Sequence, residues 1–129
     1  MTIPNGSNLV LVDSTGWIEF FGEGPKASAF APYLEREGSL LLPAITIYEV
    51  YKKLLITRGA NTADRFLSPA LRAKVIALDA DLAVAAARTS VAGHLPMADA
   101  IIYATAQRFQ AQLITSDPHF QSLPGVTLV

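Results

Sequence analysis

Short, wholly apolar runs alternate with longer helical patterns along this chain, and that alternation constrains its fold more than any other feature. Leu9-Val10-Leu11-Val12 contains no polar residue, as a strand buried on both faces requires. Similar short runs are expected as strands over 39–42, 74–78, 112–115 and 126–129. Between them the pattern turns helical. A helix over 15–21 is expected with Ser14 as its cap, and a second over 26–37 closed by Gly38. A third over 46–57 opens on Thr46-Ile47-Tyr48-Glu49, which matches a capping box. Short and long helices follow over 61–67, from Asp79 to about Val91, and over 97–109, with Pro96 at the start of the last. Strands that alternate with helices form parallel sheets with right-handed crossovers. The expected fold is therefore α/β: one domain over 1–129, an α/β/α sandwich around a central, mostly parallel five-stranded sheet.

That topology decides where four acids go. Asp13 follows the first apolar run, and Asp117 follows Leu113-Ile114-Thr115-Ser116. Glu49 and Asp99 sit in the opening turns of expected helices. Parallel sheets bind ligands at the carboxyl ends of their strands, and crossover helices start at that same edge. Asp13, Glu49, Asp99 and Asp117 thus converge by topology, although they are scattered almost from end to end of the chain. Each also has a local structural role open to it. Asp13 can shape the turn into the first helix, and Glu49 can be the capping partner of Thr46. Asp99 suits the positive end of its helix, and Asp117 before Pro118 suits an Asx turn. As a set the four would repel one another unless a cation lay among them. Carboxylate oxygens favour Mg²⁺ or Mn²⁺, and such ions suit phosphodiester hydrolysis. Thr115 and Ser116 are placed to orient a carboxylate, whereas His94 and His119 read as loop or turn residues.

The bulk composition narrows the rest. Apolar residues make up 51% and charged residues 16% of the 129, so helix faces are left over for a partner. A formal net charge of -1 gives no global pull toward nucleic acid, although Lys52, Lys53 and Arg58 offer a local basic strip for phosphate contacts. There is no cysteine, which excludes thiol catalysis, zinc–thiolate sites and disulfides, and agrees with a cytoplasmic location. No secretory leader is expected from Met1 to Gly6, and no membrane span from any apolar run. Walker and G-x-G-x-x-G sequences are absent.

Four segments together resemble a known family. They are Val-Asp13-Ser14, Ile-Tyr-Glu49-Val, Met-Ala-Asp99-Ala-Ile-Ile-Tyr-Ala-Thr-Ala and Leu-Ile-Thr115-Ser116-Asp117-Pro-His-Phe. In order and spacing, from Leu9 to Val126, the chain is similar to a PIN domain, and in size to the VapC-type toxin of a toxin–antitoxin pair. The resemblance implies a Mg²⁺- or Mn²⁺-dependent endoribonuclease, usually a homodimer, acting on RNA and inhibited by a cognate antitoxin protein. It also implies Asp13, Glu49, Asp99 and Asp117 as the acidic catalytic and metal-binding set, with Thr115 in support. The turn Gly93-His94-Leu95-Pro96 departs from the family pattern at the rim of that site. The alternative is a catalytically silent PIN-like module that binds RNA or a partner. A phosphoacceptor receiver domain would need an acid pair after the first strand and a late lysine, and neither is present. A haloacid-dehalogenase-type phosphatase would need an acid at the position of Thr15.

Overall fold

A computed structural model describes residues 8–36 and 38–129. The chain runs β1 (Val10–Val12), α1 (Ser14–Phe21), α2 (Ala27–Leu34), β2 (Leu40–Pro43), α3 (Ala44–Arg58), α4 (Ala60–Arg72) and β3 (Lys74–Ile76). It continues through α5 (Ala80–Gly93), α6 (Met97–Arg108), β4 (Gln112–Thr115), a 3₁₀ turn (Pro118–Phe120) and β5 (Val126–Leu128). The strands form one five-stranded sheet in the order β3-β2-β1-β4-β5. Every neighbouring pair is parallel. The expected α/β class therefore holds, with a sheet that is wholly rather than mostly parallel.

The apolar runs explain the layers. Side chains alternate across a strand, so a run that is apolar throughout feeds two cores at once. Leu9, Leu11, Leu41 and Leu113 pack with Leu82, Ile101, Ile102 and Phe120 on the side of α5 and α6. Val10, Val12, Leu40, Leu42 and Ile114 pack with Trp17, Phe30, Val50, Leu54 and Phe66 on the side of α1 to α4. Each fully buried Leu or Val contributes about 1.5–3 kcal/mol. Asp79 caps α5 by accepting from the Leu82 amide at 2.8 Å. It also pairs with Arg108 near the end of α6 at 3.2 Å, so α5 and α6 lie antiparallel.

Several boundaries differ from the sequence reading. Asp13, not Ser14, is the N-cap of α1, and its side chain makes no capping bond. Helix α2 ends at Leu34, and the expected end at Glu37 lies outside the described residues, as do Met1 to Gly6. Helix α4 runs five residues beyond Leu67, to Arg72, with Pro69 inside it. Ser68-Pro69 looks like a stop signal, but Ala63, Phe66 and Ala70 form one buried stripe that holds the helix through the proline. Helix α3 starts at Ala44 with Pro43 as its N-cap, so Thr46 is already inside the helix. The capping box is therefore not formed. The Thr46 hydroxyl is buried without a hydrogen-bond partner, and Glu49 has no capping task.

One glycine locks α1 onto β1. A Cβ on Gly16 would collide with the Val12 side chain and lie 2.7 and 2.8 Å from the Phe30 ring. Gly16→Ala is expected to destabilise the protein by about 1–3 kcal/mol through overpacking. Urea unfolding measures this, and a change below about 0.5 kcal/mol would contradict the tight contact.

Candidate metal centre

Strand order reverses at β1 and β4, and both strands end in an acid-bearing turn. Asp13 leaves β1 with only 2% of its surface exposed. The hydroxyl of Thr115, at the end of β4, donates to Asp13 Oδ2 at 2.7 Å. Thr15 donates to Asp13 Oδ1 at 2.5 Å. Each hydroxyl also accepts a backbone amide: Thr115 from Asp117 at 2.9 Å and Thr15 from Ser116 at 3.2 Å. The two threonines thus tie the ends of β1 and β4 together through one carboxylate. Thr115, expected in support of the acids, touches one of them, Asp13. Thr15 escaped the sequence reading, because a threonine in the first turn of a helix carries no distinctive signal.

Asp117 caps the 3₁₀ turn, accepting from the His119 amide at 2.9 Å. The expected Asx turn is therefore present, and it aims the carboxylate. Asp99 lies in the first turn of α6. His119 Nδ1 reaches both acids, at 3.0 Å from Asp117 Oδ1 and 3.2 Å from Asp99 Oδ2. The backbone of His119 is in a turn, as expected, and its side chain also joins the acids. Its spacing two residues from Asp117 was the available signal.

Glu49 lies in the second turn of α3 and is half-buried, with Oε1 enclosed and lacking a partner. Among the described residues, ligating atoms of Asp99, Asp117 and His119 all fall within 4.8 Å of one another. Asp13 and Glu49 lie outside that tight group but feel its charge. Burial is the main force pushing the Asp13 carboxyl up to about 6; the Thr15 and Thr115 hydroxyls oppose it, and Asp117 adds repulsion. Burial also raises Glu49, against a hydrogen bond from Ser14 and helped by repulsion from Asp99 and Asp117. Asp99 is raised by burial and by Asp117, with His119 pulling the other way. Mutually destabilised carboxylates and an unpartnered buried oxygen are what a hard divalent cation would satisfy. The donor set therefore fits Mg²⁺ or Mn²⁺.

The PIN domain family model matches residues 10–126. This chain belongs to the PIN domain family. Among solved structures, it is similar to a toxin–antitoxin complex from Klebsiella pneumoniae, with a TM-score of 0.78 and 24% identity, covering 92% of this chain and 95% of that one. It is also similar to the sarcin–ricin-loop-cleaving toxin VapC20 of Mycobacterium tuberculosis, with a TM-score of 0.77 and 16% identity over 91% and 96%. A third likeness is VapBC2 from Rickettsia felis bound to promoter DNA, with a TM-score of 0.73 and 15% identity over 94% and 97%. At these identities the likeness is one of fold. No curated protein matches the sequence. Among the described residues of this PIN domain, no helix is long and apolar enough to cross a membrane.

Proposed function

We propose that this PIN domain is a metal-dependent endoribonuclease, and that it acts in the cytoplasm as the toxin of a toxin–antitoxin pair. The observation that carries the reading is the gathering of Asp13, Glu49, Asp99 and Asp117 around the β1 and β4 ends, with Asp13, Glu49 and Asp99 raised by burial and repulsion and one buried Glu49 oxygen unpartnered. Asp13, Asp99 and Asp117 would hold Mg²⁺ or Mn²⁺, with Glu49 joining directly or through water. A bound divalent cation supplies Lewis-acid stabilisation of the phosphoryl group and activation of the attacking water. The protein's own contribution is order. Thr15 and Thr115 fix Asp13, so its carboxylate needs no reorganisation when RNA arrives. Lys52 and Lys53 lie one turn beyond Glu49 on the exposed face of α3 and would contact RNA phosphates. Lys52 Nζ already lies 3.3 Å from the Tyr48 hydroxyl at that rim. Arg58, at the end of α3, has its Nε 3.9 Å from where a Cβ on Gly22 would sit, at the opposite end of α1 from Asp13, and is not part of this proposal.

The same reading includes a cognate antitoxin and a homodimer. Trp17, Phe20, Phe21, Leu34, Pro69 and Ala73 line an open apolar groove of about 400 Å³, rimmed by Arg36 and Arg72. This groove is the seat we assign to the antitoxin. It lies where α1, α2 and α4 end and β2 and β3 begin, toward the edge of the sheet opposite the acids.

Purified protein with Mg²⁺ or Mn²⁺ is expected to cut structured RNA, and EDTA to stop it completely. RNA binding without cutting under either ion would identify the silent module instead. Cleavage that persists in EDTA would remove the metal from the mechanism.

A further inference from the structure

We infer that His119 is a nitrogen ligand of the cation, bound through Nδ1, and that it makes this site prefer Mn²⁺ to Mg²⁺. The inference rests on the metal reading above and deepens it. The position of the ring is built into the fold. Pro118 stiffens the turn before it, Phe120 is fully buried after it, and the His119 amide is tied to Asp117 Oδ1 at 2.9 Å. The ring is thereby held with Nδ1 toward the acids, while its side chain is 59% exposed.

The separations fit adjacent corners of one coordination shell. Neighbouring ligands of an octahedral ion with bonds of about 2.1 Å are about 3.0 Å apart. Nδ1 lies 3.0 Å from Asp117 Oδ1 and 3.2 Å from Asp99 Oδ2. The same distances suit an N–H shared between two carboxylates, so the two roles differ only in what Nδ1 carries. When a cation binds, Nδ1 offers its lone pair and the ring proton sits on Nε2, the other imidazole nitrogen. Mg²⁺ takes oxygen ligands and keeps its waters, whereas imidazole suits first-row transition ions. One nitrogen among carboxylates therefore shifts the preference toward Mn²⁺.

The test uses Mn²⁺ and Mg²⁺ alone, without RNA, on the wild type, His119→Ala and His119→Gln. Calorimetry is expected to show Mn²⁺ binding weakened about 10- to 100-fold in His119→Ala, with Mg²⁺ changed less than about threefold. Pulsed EPR of the Mn²⁺ form should show imidazole ¹⁴N coupling in the wild type and none in His119→Gln. If the wild type shows no such coupling, or His119→Ala binds Mn²⁺ as tightly or more tightly, the ring is a hydrogen-bonding counter-charge and the inference is wrong. If the wild type binds neither ion, the metal reading itself fails. Circular dichroism guards against misfolding, a small risk for so exposed a side chain.

Discussion

Asp13→Asn is expected to abolish metal-dependent cleavage and at the same time stabilise the metal-free protein. The two effects have one cause. Asp13 is almost fully buried and carries a charge that the fold itself disfavours, with burial pushing its carboxyl up to about 6. Asparagine has the same shape and keeps an oxygen to accept from one threonine. Its amide can donate to the other, whose hydroxyl oxygen turns to accept. The local framework between β1 and β4 therefore survives. Removing the negative charge relieves both the desolvation and the repulsion from Asp117. Stability in EDTA at pH 7.5 should rise by about 1–3 kcal/mol, read by urea unfolding. On the proposed function, a cation at the edge of the sheet would lose a charged oxygen donor in the same step. Cleavage should fall by at least about 10³-fold, or roughly 4 kcal/mol of transition-state stabilisation. Opposite signs separate loss of function from loss of fold. A variant that is both inactive and less stable would mean that Asp13 is structural, and an active one would exclude it from the site.

Much of this site was readable in the sequence because it depends on topology. Once Leu9–Val12 and Leu113–Ile114 are buried parallel strands, Asp13 and Asp117 must emerge at their carboxyl ends. Helix starts follow from the same rule, which places Glu49 and Asp99. What the sequence could not show is how side chains share partners. Thr46 and Glu49 have capping-box spacing, but Pro43 starts α3 two residues early and the motif falls inside the helix. Thr15 and His119 gain their importance from contacts that chain positions alone do not reveal. His119 meets Asp99 only because α6 and the 3₁₀ turn end up side by side. Helix α4 outruns its expected end at Leu67 for a related reason: it continues through Pro69 on the packing of Phe66 and Ala70, which only the tertiary structure supplies.

The metal-free protein is also expected to lose stability as pH rises from about 4 to 7.5, the reverse of ordinary acid denaturation. The sign follows from which state holds the proton more tightly. The Asp13 carboxyl is raised from 3.8 to about 6 in the folded chain, so the folded state binds its proton more strongly than the unfolded one. Its contribution is fully present below pH 3.8 and is lost as pH rises through 6. The loss amounts to about 3 kcal/mol, at about 1.36 kcal/mol for each pH unit between the unfolded and folded values. Glu49 and Asp99 are raised as well and act in the same direction. Asp79 is lowered, by its bond from the Leu82 amide and by Arg108, and opposes the trend, but it is exposed and its effect is screened. For a chain of this size the melting temperature in EDTA should fall by on the order of 10 °C across the window. A divalent cation that binds only the folded chain adds about 2.7 kcal/mol at a hundred times its dissociation constant. Because it binds ionised acids, Mg²⁺ or Mn²⁺ should restore stability at pH 7.5 and do little at pH 4.5. Scanning calorimetry over this range, with and without the ion, tests both halves. A melting temperature that climbs with pH in EDTA would show that the buried acids are not strained, and an ion effect independent of pH would place the cation elsewhere.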